Sequence, residues 1–421
     1  GFRGPAPPPP PGRGQRGQEG PPPMTPSLPD ERALRAAIRA LTFGNFAIGT
    51  GVMVMVGMLD LIADGLAITV PAAGQLVAIG ALVTCLGAPL AAAFTTRIDR
   101  RRLLVGSLAL SAAGHLLSAL APGFAVLAVV RALAVVQAAI FTPQAAAAIG
   151  SMVPPHARSR AVTSIFIGWS IASVIGMPLG NLIGTHLGWR AGFGAAALLN
   201  LAACAWVMAT IPGGLKAPAL SLASWLDVVR NPLLTGALAV TLLGGAGQFV
   251  LSAYIAPALK LATQSTPAAV AAVMALFGVF GVAGNLWLNR QIGRRGPHRS
   301  VDTSIVAIAI GLGFAALLTL ATQWLPIAVW PLLVASCVFW GLGCFAMNSA
   351  QQARLAAIAP ALASASIALN TSMIYAGQAI GAAAGGALIA AAGIGLLPWA
   401  ALALLLVTYG LSRRVGARAA A

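Results

Sequence analysis

Residues 161–190 read AVTSIFIGWSIASVIGMPLGNLIGTHLGWR. A membrane-spanning helix needs about 20 predominantly apolar residues, and this stretch supplies them without an internal Asp, Glu, Lys or Arg. Inside it Gly168, Ala172, Gly176, Gly180 and Gly184 recur at every fourth position, which on a helix stacks them into one shallow ridge. Pro178 sits within the ridge, where it removes a backbone donor and predicts a bend. A ridge of small residues lets a neighbouring helix come close, either as fixed packing or as a seam along which the two can slide, and the rest of the chain favours the sliding seam.

The rest of the chain has the same character. Of its 421 residues 59% are hydrophobic and 8% charged, too few charges to clothe soluble domains. The apolar residues come in long runs and do not alternate, which points to membrane helices and away from a β-barrel. A net charge of +17 invites a nucleic-acid reading. The basic residues, however, are confined to short breaks between apolar runs, with no stripe and no interleaved aromatics. The four cysteines, Cys85, Cys204, Cys337 and Cys344, all fall inside apolar segments and lack metal-ligand or disulfide spacing. No Walker loop, HExxH or CxxC is present, so neither a metal nor a cofactor is expected; Gly168-Trp169-Ser170 lies mid-span, without the strand–turn–helix context of a nucleophile elbow.

Charges punctuate the chain. Residues 1–33 form a Pro/Gly-rich tail expected to be disordered, with no apolar core of a signal peptide. Met24 is the expected native start, because residues 1–23 differ sharply in composition from the chain beyond them. Apolar runs then predict about twelve spans, in an N-terminal six-helix bundle over 34–212 and a C-terminal one over 232–412. Residues 213–231 are the expected cytoplasmic linker and 413–421 a cytoplasmic tail. With both termini inside, all but Arg131, Arg190 and Lys260 of the 25 Lys and Arg residues fall on the cytoplasmic side, as the positive-inside rule requires. The halves echo each other. Gly377, Gly381 and Gly385 repeat the four-residue spacing in the eleventh span, and TTRIDRRR (95–102) has its counterpart in NRQIGRRGPHR (289–299). The fold class is therefore an all-α membrane protein of two pseudo-symmetric bundles, with a path between them.

Few polar residues are available to serve such a path. Arg131 is the only formal charge well inside a predicted span, and its insertion costs at least about 2.5 kcal/mol unless it faces a cavity or a partner. Asn45, Thr50, Gln248, Tyr254, Asn285, Asn348, Asn370, Tyr375 and Gln378 are uncharged polar residues that can line the path or act as glue between helices. None of the eight acids falls in mid-span, which leaves His115 as the one candidate proton site there. Asp99, set among Arg97, Arg100, Arg101 and Arg102, is suited to charge-assisted bonds that hold a cytoplasmic gate, since topology alone needs no acid.

From about Leu41 to Leu411 these features resemble the major facilitator superfamily, and within it the drug–proton antiporter branch of sugar-efflux permeases and chloramphenicol exporters. Asp99-Arg100-Arg101-Arg102 matches its first cytoplasmic signature, with Thr95 in place of the usual Gly. Arg131 matches the arginine of the fourth span, and Gly168, Gly176, Pro178 and Gly180 followed by Gly188-Trp189-Arg190 match the antiporter motif of the fifth. Gly293 stands where many relatives carry Asp, and Gly49-Thr50 is not followed by an acid. The resemblance implies a monomeric, multi-pass transporter of a bacterial inner membrane, not an enzyme, that exports a small organic solute by alternating access with a proton as counter-ion. The residues themselves leave open an uncoupled facilitator or importer, or a receptor or subunit that transports nothing.

Overall fold

The computed structural model describes residues 31–94, 98–153, 158–215, 222–263, 266–324, 327 and 329–420. Its helices are α1 (Glu31–Gly57), α2 (Leu59–Gly65), α3 (Val70–Phe94), α4 (Arg100–Ala119), α5 (Phe124–Met152), α6 (Arg158–Leu187), α7 (Trp189–Thr210), α8 (Leu222–Arg230), α9 (Pro232–Ser252), α10 (Ile255–Thr263), α11 (Pro267–Arg295), α12 (Pro297–Trp324), α13 (Val329–Ile358), α14 (Ala363–Ala392) and α15 (Leu397–Ala420). Among the described residues there is no strand, and 12 helices are long and apolar enough to cross a membrane: all except α2, α8 and α10. Large apolar side chains such as Leu133, Leu198 and Leu406 stand exposed on their outer faces, as lipid-facing surface requires.

Helix starts follow local chemistry. Asn231 caps α9 by accepting from the Leu233 and Leu234 amides at 3.0 and 3.2 Å, and Thr266 caps α11 through the Ala269 amide at 3.3 Å. In both, proline follows at the first helical position, where its missing donor costs nothing. The fifth and sixth spans of each half meet at a glycine with positive φ, Gly188 at +83° and Gly393 at +85°.

The two halves are built alike. In each, the first span packs on the fifth (α1 on α6, α9 on α14), the third on the fourth (α4 on α5, α12 on α13) and the third on the sixth (α4 on α7, α12 on α15). The glycine ridge of α6 faces α1 of its own bundle. A Cβ on Gly176 would lie 2.6 Å from Met53 Cβ, and one on Gly180 only 2.5 Å from the Val54 carbonyl oxygen. On α14, Gly381 and Gly385 meet α9 in the same way, a Cβ on Gly385 falling 2.5 Å from the Val250 carbonyl. The ridges thus fasten helices inside each bundle, where a seam for sliding was expected. α6 continues through Pro178 without a break in the helix.

Contact between bundles is made elsewhere, by α3 against α14 and by α6 against α11, the second and fifth spans of opposite halves. On the side away from the chain termini, here the far side, Tyr254 fills a notch left by Gly74 of α3 and by Gly386 of α14. Ser173 and Val174 of α6 abut Gly278 of α11. Lys260 of α10 pairs with Asp60 of α2 at 3.6 Å. The Tyr254, Gly278 and Lys260 contacts lie in the far half of the spans, and Cys85 of α3 meets the Ala376 backbone of α14 past mid-span.

Three boundaries differ from expectation. α1 begins at Glu31, inside the segment expected as tail. The expected linker contains α8, and α15 carries on through Arg413 and Arg414 to Ala420, because Ala and Arg favour helix and the cations suit a helix C-terminus. Residues 1–30, with Met24, and 216–221 of the linker lie outside the described residues.

Overpacking a close helix contact costs about 1–3 kcal/mol. Gly180→Leu and Gly385→Leu are therefore expected to lower the apparent thermal unfolding midpoint in detergent by several degrees. Gly194→Leu, where a Cβ meets nothing within 4 Å, should leave it nearly unchanged.

Candidate transport path and gates

Asn45 is wholly buried and spends both ends of its amide inside the N-terminal bundle. Its Nδ2 donates to the Ile165 carbonyl of α6 at 3.2 Å, and its Oδ1 accepts from the Thr142 hydroxyl of α5 at 2.8 Å. Trp169 Nε1 donates to that same hydroxyl at 3.1 Å. One residue thus ties α1, α5 and α6 together. Thr50, one turn further along α1, is 1% exposed, and its hydroxyl is buried without a partner.

Arg131 was expected on the path between the bundles; its side chain is turned into its own. The guanidinium lies 5.4 Å from the centre of the Phe193 ring of α7, is 2% exposed, and leaves Nε and Nη1 without hydrogen-bond partners. A desolvated cation over an aromatic face gains about 2 kcal/mol, close to the minimum cost of inserting the charge, which explains why an arginine can sit here. The ring of His115, on α4, lies 6.2 Å from the same phenyl ring. Its Nδ1 is 2.7 Å from the Ser111 carbonyl oxygen and its Nε2 is 3.1 Å from that of Gly51 on α1. A neutral imidazole has one N–H and satisfies one of these acceptors; an imidazolium satisfies both. The fixed charge and the candidate proton site singled out in mid-span therefore share one aromatic neighbour in the core of the N-terminal bundle.

In the C-terminal bundle Gln248 accepts from Trp340 Nε1 at 3.3 Å and donates to the Gly244 carbonyl at 3.2 Å. Trp340 stands edge-on to Phe277 at 5.0 Å, which joins α9, α13 and α11. Asn370 accepts from the Thr241 hydroxyl at 2.6 Å and fastens α14 to α9, the pair equivalent to α6 and α1. Its Nδ2 is buried without a partner. Asn348 is exposed and accepts from Gln352 one turn on at 3.3 Å, while Tyr375 and Gln378 are half-buried on α14. Asn285 accepts from Ser349 at 2.8 Å. Of the expected path residues, Asn348, Tyr375 and Gln378 keep exposed or partly exposed surface; Asn45, Gln248 and Asn370 are engaged within a bundle.

The described part of TTRIDRRR is an intrabundle clamp. Asp99 caps α4, accepting from the Arg102 amide at 3.1 Å, and its other oxygen accepts from the Gly214 amide beyond α7. The Arg100 amide donates to the Leu215 carbonyl at 3.1 Å, its guanidinium to Gln144 of α5, and Arg101 donates to the Met208 carbonyl at 2.6 Å. Arg102 reaches solvent. Burial pushes the Asp99 carboxyl up, but the amides of Arg102, Gly214 and Arg101 outweigh it and hold the group below the usual carboxylate range. Thr95 and Arg97 lie outside the described residues.

The opposite bundle has a clamp that the sequence alone did not reveal. Arg354 is wholly buried, because α13 runs to Ile358, past the point where a loop was expected. It donates to the Ser412 hydroxyl at 2.9 Å, which donates to Asp302 at 2.6 Å, with Arg413 Nε 3.9 Å from the same carboxylate. Gln351, three residues earlier on the same face, donates to the Ala237 carbonyl. That i, i+3 spacing of Gln and Arg was the available signal.

Two bundles of six spans, related in packing and joined along two seams, are the architecture of a solute transporter made from repeats. A profile of the Major Facilitator Superfamily matches residues 41–321, and the chain belongs to that family of transporters. It is 32% identical over 350 residues to the inner membrane transport protein YdhP of Escherichia coli (strain K12), covering 83% of this chain and 87% of that protein. It is 29% identical over 356 residues to a Pasteurella multocida (strain Pm70) protein named "Probable sugar efflux transporter", covering 83% and 85%. The crystal structure of a bacterial homologue of the human lysosomal transporter Spinster, inward-facing and unoccupied, matches with a TM-score of 0.72 at 16% identity over 93% of this chain and 99% of that one. At that identity the likeness shows the fold alone.

Asp99→Ala removes a helix cap worth about 1 kcal/mol, whereas Asp99→Asn keeps a capping oxygen. Apparent unfolding midpoints should therefore fall in the order wild type, Asp99→Asn, Asp99→Ala. Because its folded-state pKa is lowered, the contribution of Asp99 is present above about pH 4 and is lost as pH falls through that lowered value, so the variants should converge with wild type in acid.

Proposed function

We propose that this chain exports a small, uncharged organic solute from the bacterial cytoplasm by rocking one bundle against the other, as a monomer in exchange for protons, with both termini cytoplasmic. The observation that carries the reading is the placement of the named bundle contacts: those at Gly74, Gly278 and Lys260 lie in the far half of the spans, while the described clamps at Asp99 and Arg354 on the terminus side are each fastened within one bundle. With the termini inside, we read this as the state closed to the exterior. The positive-inside distribution supports that orientation. The name of the Pasteurella relative supports export. The free polar surface of Asn348, Tyr375 and Gln378 is uncharged and suits a neutral solute.

An uncoupled facilitator is the competing reading, favoured by the absence of an acid from mid-span. His115, held between two carbonyl oxygens, is the candidate mid-span proton site, with both acceptors satisfied once it is charged and with its burial and the Arg131 cation on the same Phe193 ring opposing that charge.

Cells expressing the chain should accumulate less chloramphenicol and less of a neutral thiogalactoside than cells without it, with ethidium, a cation, unaffected. A protonophore should abolish the difference. Export that continues unchanged under the protonophore would establish the facilitator and remove antiport. His115→Gln, which can donate to only one side at a time, should reduce proton-driven export at least tenfold while inserting normally.

A further inference from the structure

Among the described residues, one ion pair joins the two bundles: Lys260 Nζ on α10 and Asp60 Oδ2 on α2, 3.6 Å apart on the far side. Its two members sit in very different surroundings. The Lys260 side chain is 60% exposed and keeps most of its water. Asp60 is 7% exposed, lies in the apolar run Met58-Leu59-Asp60-Leu61-Ile62-Ala63, and has an oxygen, Oδ1, buried without a hydrogen-bond partner. A hydrated ammonium at that distance returns little to a carboxylate that has lost its own hydration.

The other groups around Asp60 do not make up the difference. Asp64, on the same helix, adds a like charge. α3 contains no charged residue, and Arg190 of α7 lies 4.2 Å over the Trp189 ring and donates to the Ala121 carbonyl at 2.9 Å. α10 contributes Lys260 alone. Burial accordingly pushes the Asp60 carboxyl above the usual carboxylate range, with Lys260 and the amides of Leu61 and Asp60 acting in the opposite direction but not enough to reverse it.

We propose that Asp60 is a proton-binding site which takes up a proton from the external compartment as the far side closes, so that external acid drives the transporter into the state described here. The proposal rests on the alternating-access reading. When the bundles part on the far side, α2 and α10 separate and the carboxylate regains water. When they close, the neutral acid is buried at less cost than the anion. Each closure binds one proton at Asp60 and each reopening releases one. Because the closed state holds the proton more tightly, acid favours closure, with the closed-to-open ratio rising at most about tenfold per pH unit, the limit for one proton.

The test uses the full chain in lipid nanodiscs, with its four cysteines replaced and spin labels on Leu187→Cys and Gly395→Cys, at the far ends of opposite bundles. Distances between the labels, measured by double electron–electron resonance from pH 8 to pH 5, should shift towards the short, closed population in acid. Asp60→Asn should show the closed population at every pH. Asp60→Glu should keep the response, and Lys260→Met should keep it with the midpoint moved to higher pH. A wild-type distribution that ignores pH, or that widens in acid, overturns the proposal, as does an Asp60→Asn protein that still responds. No solute enters the measurement, so the readings separate: a pH response in a protein that exports nothing sinks the export reading and leaves the site. Export without the response does the reverse.

Discussion

Lipid tails are as apolar as leucine, so no hydrophobic force holds one membrane helix to another. Cohesion depends on how closely backbones approach. In this protein close approaches are made at glycine, among them α6 on α1 and α14 on α9, with no room for even a methyl group at Gly176, Gly180 or Gly385. The amide of Asn45 and the Thr241–Asn370 bond cross the same two interfaces, and the clamps at Asp99 and Arg354 bind the remaining spans to the terminus-side ends. The result is two bodies, each internally tied. The seams between them have a different make-up: a notch at Gly74 that admits Tyr254, an abutment at Gly278, and one half-hydrated ion pair.

The fold was legible because its signals are long. Runs of twenty apolar residues, charges confined to breaks, and a four-residue glycine spacing repeated in the second half leave little freedom in the number, order and pairing of spans. What each ridge packs against was not legible, because a ridge of hydrogens has no address. The spacing that marks a close neighbour in α6 is equally compatible with α1 and with a helix of the other bundle, and only the three-dimensional arrangement decides. Arg131 illustrates the same limit at one residue. Charge and position told that it must avoid lipid, but not that Phe193, more than sixty positions away, would provide the ring beneath it.

Two buried charges were hidden in the sequence for opposite reasons. Arg354 lies past the point where the hydrophobic run fades, so ending the helix where hydropathy falls assigns it to a loop; the helix continues because its neighbours Ala353, Leu355 and Ala356 favour helix and Gln351 finds a partner in α9. Asp60 lies between two runs and reads as a loop acid, yet a short helix folds it under its neighbours. Partial burial at the rim of a membrane protein depends on a few residues of irregular chain, where periodicity has nothing to say.

Tyr254 carries a consequence of its own. Its hydroxyl donates to the Ala382 carbonyl at 2.6 Å, within the bundle to which it belongs, so parting the bundles strips it from the Gly74 notch without breaking that bond. Separation at this seam exchanges dispersion contacts for hydrated apolar surface and little else. Newly wetted apolar surface raises heat capacity. If the bundles alternate as proposed, the balance between the two states is curved in temperature: cooling and warming both change it, by different amounts, and a barrier to solutes becomes a thermometer of its own hydration.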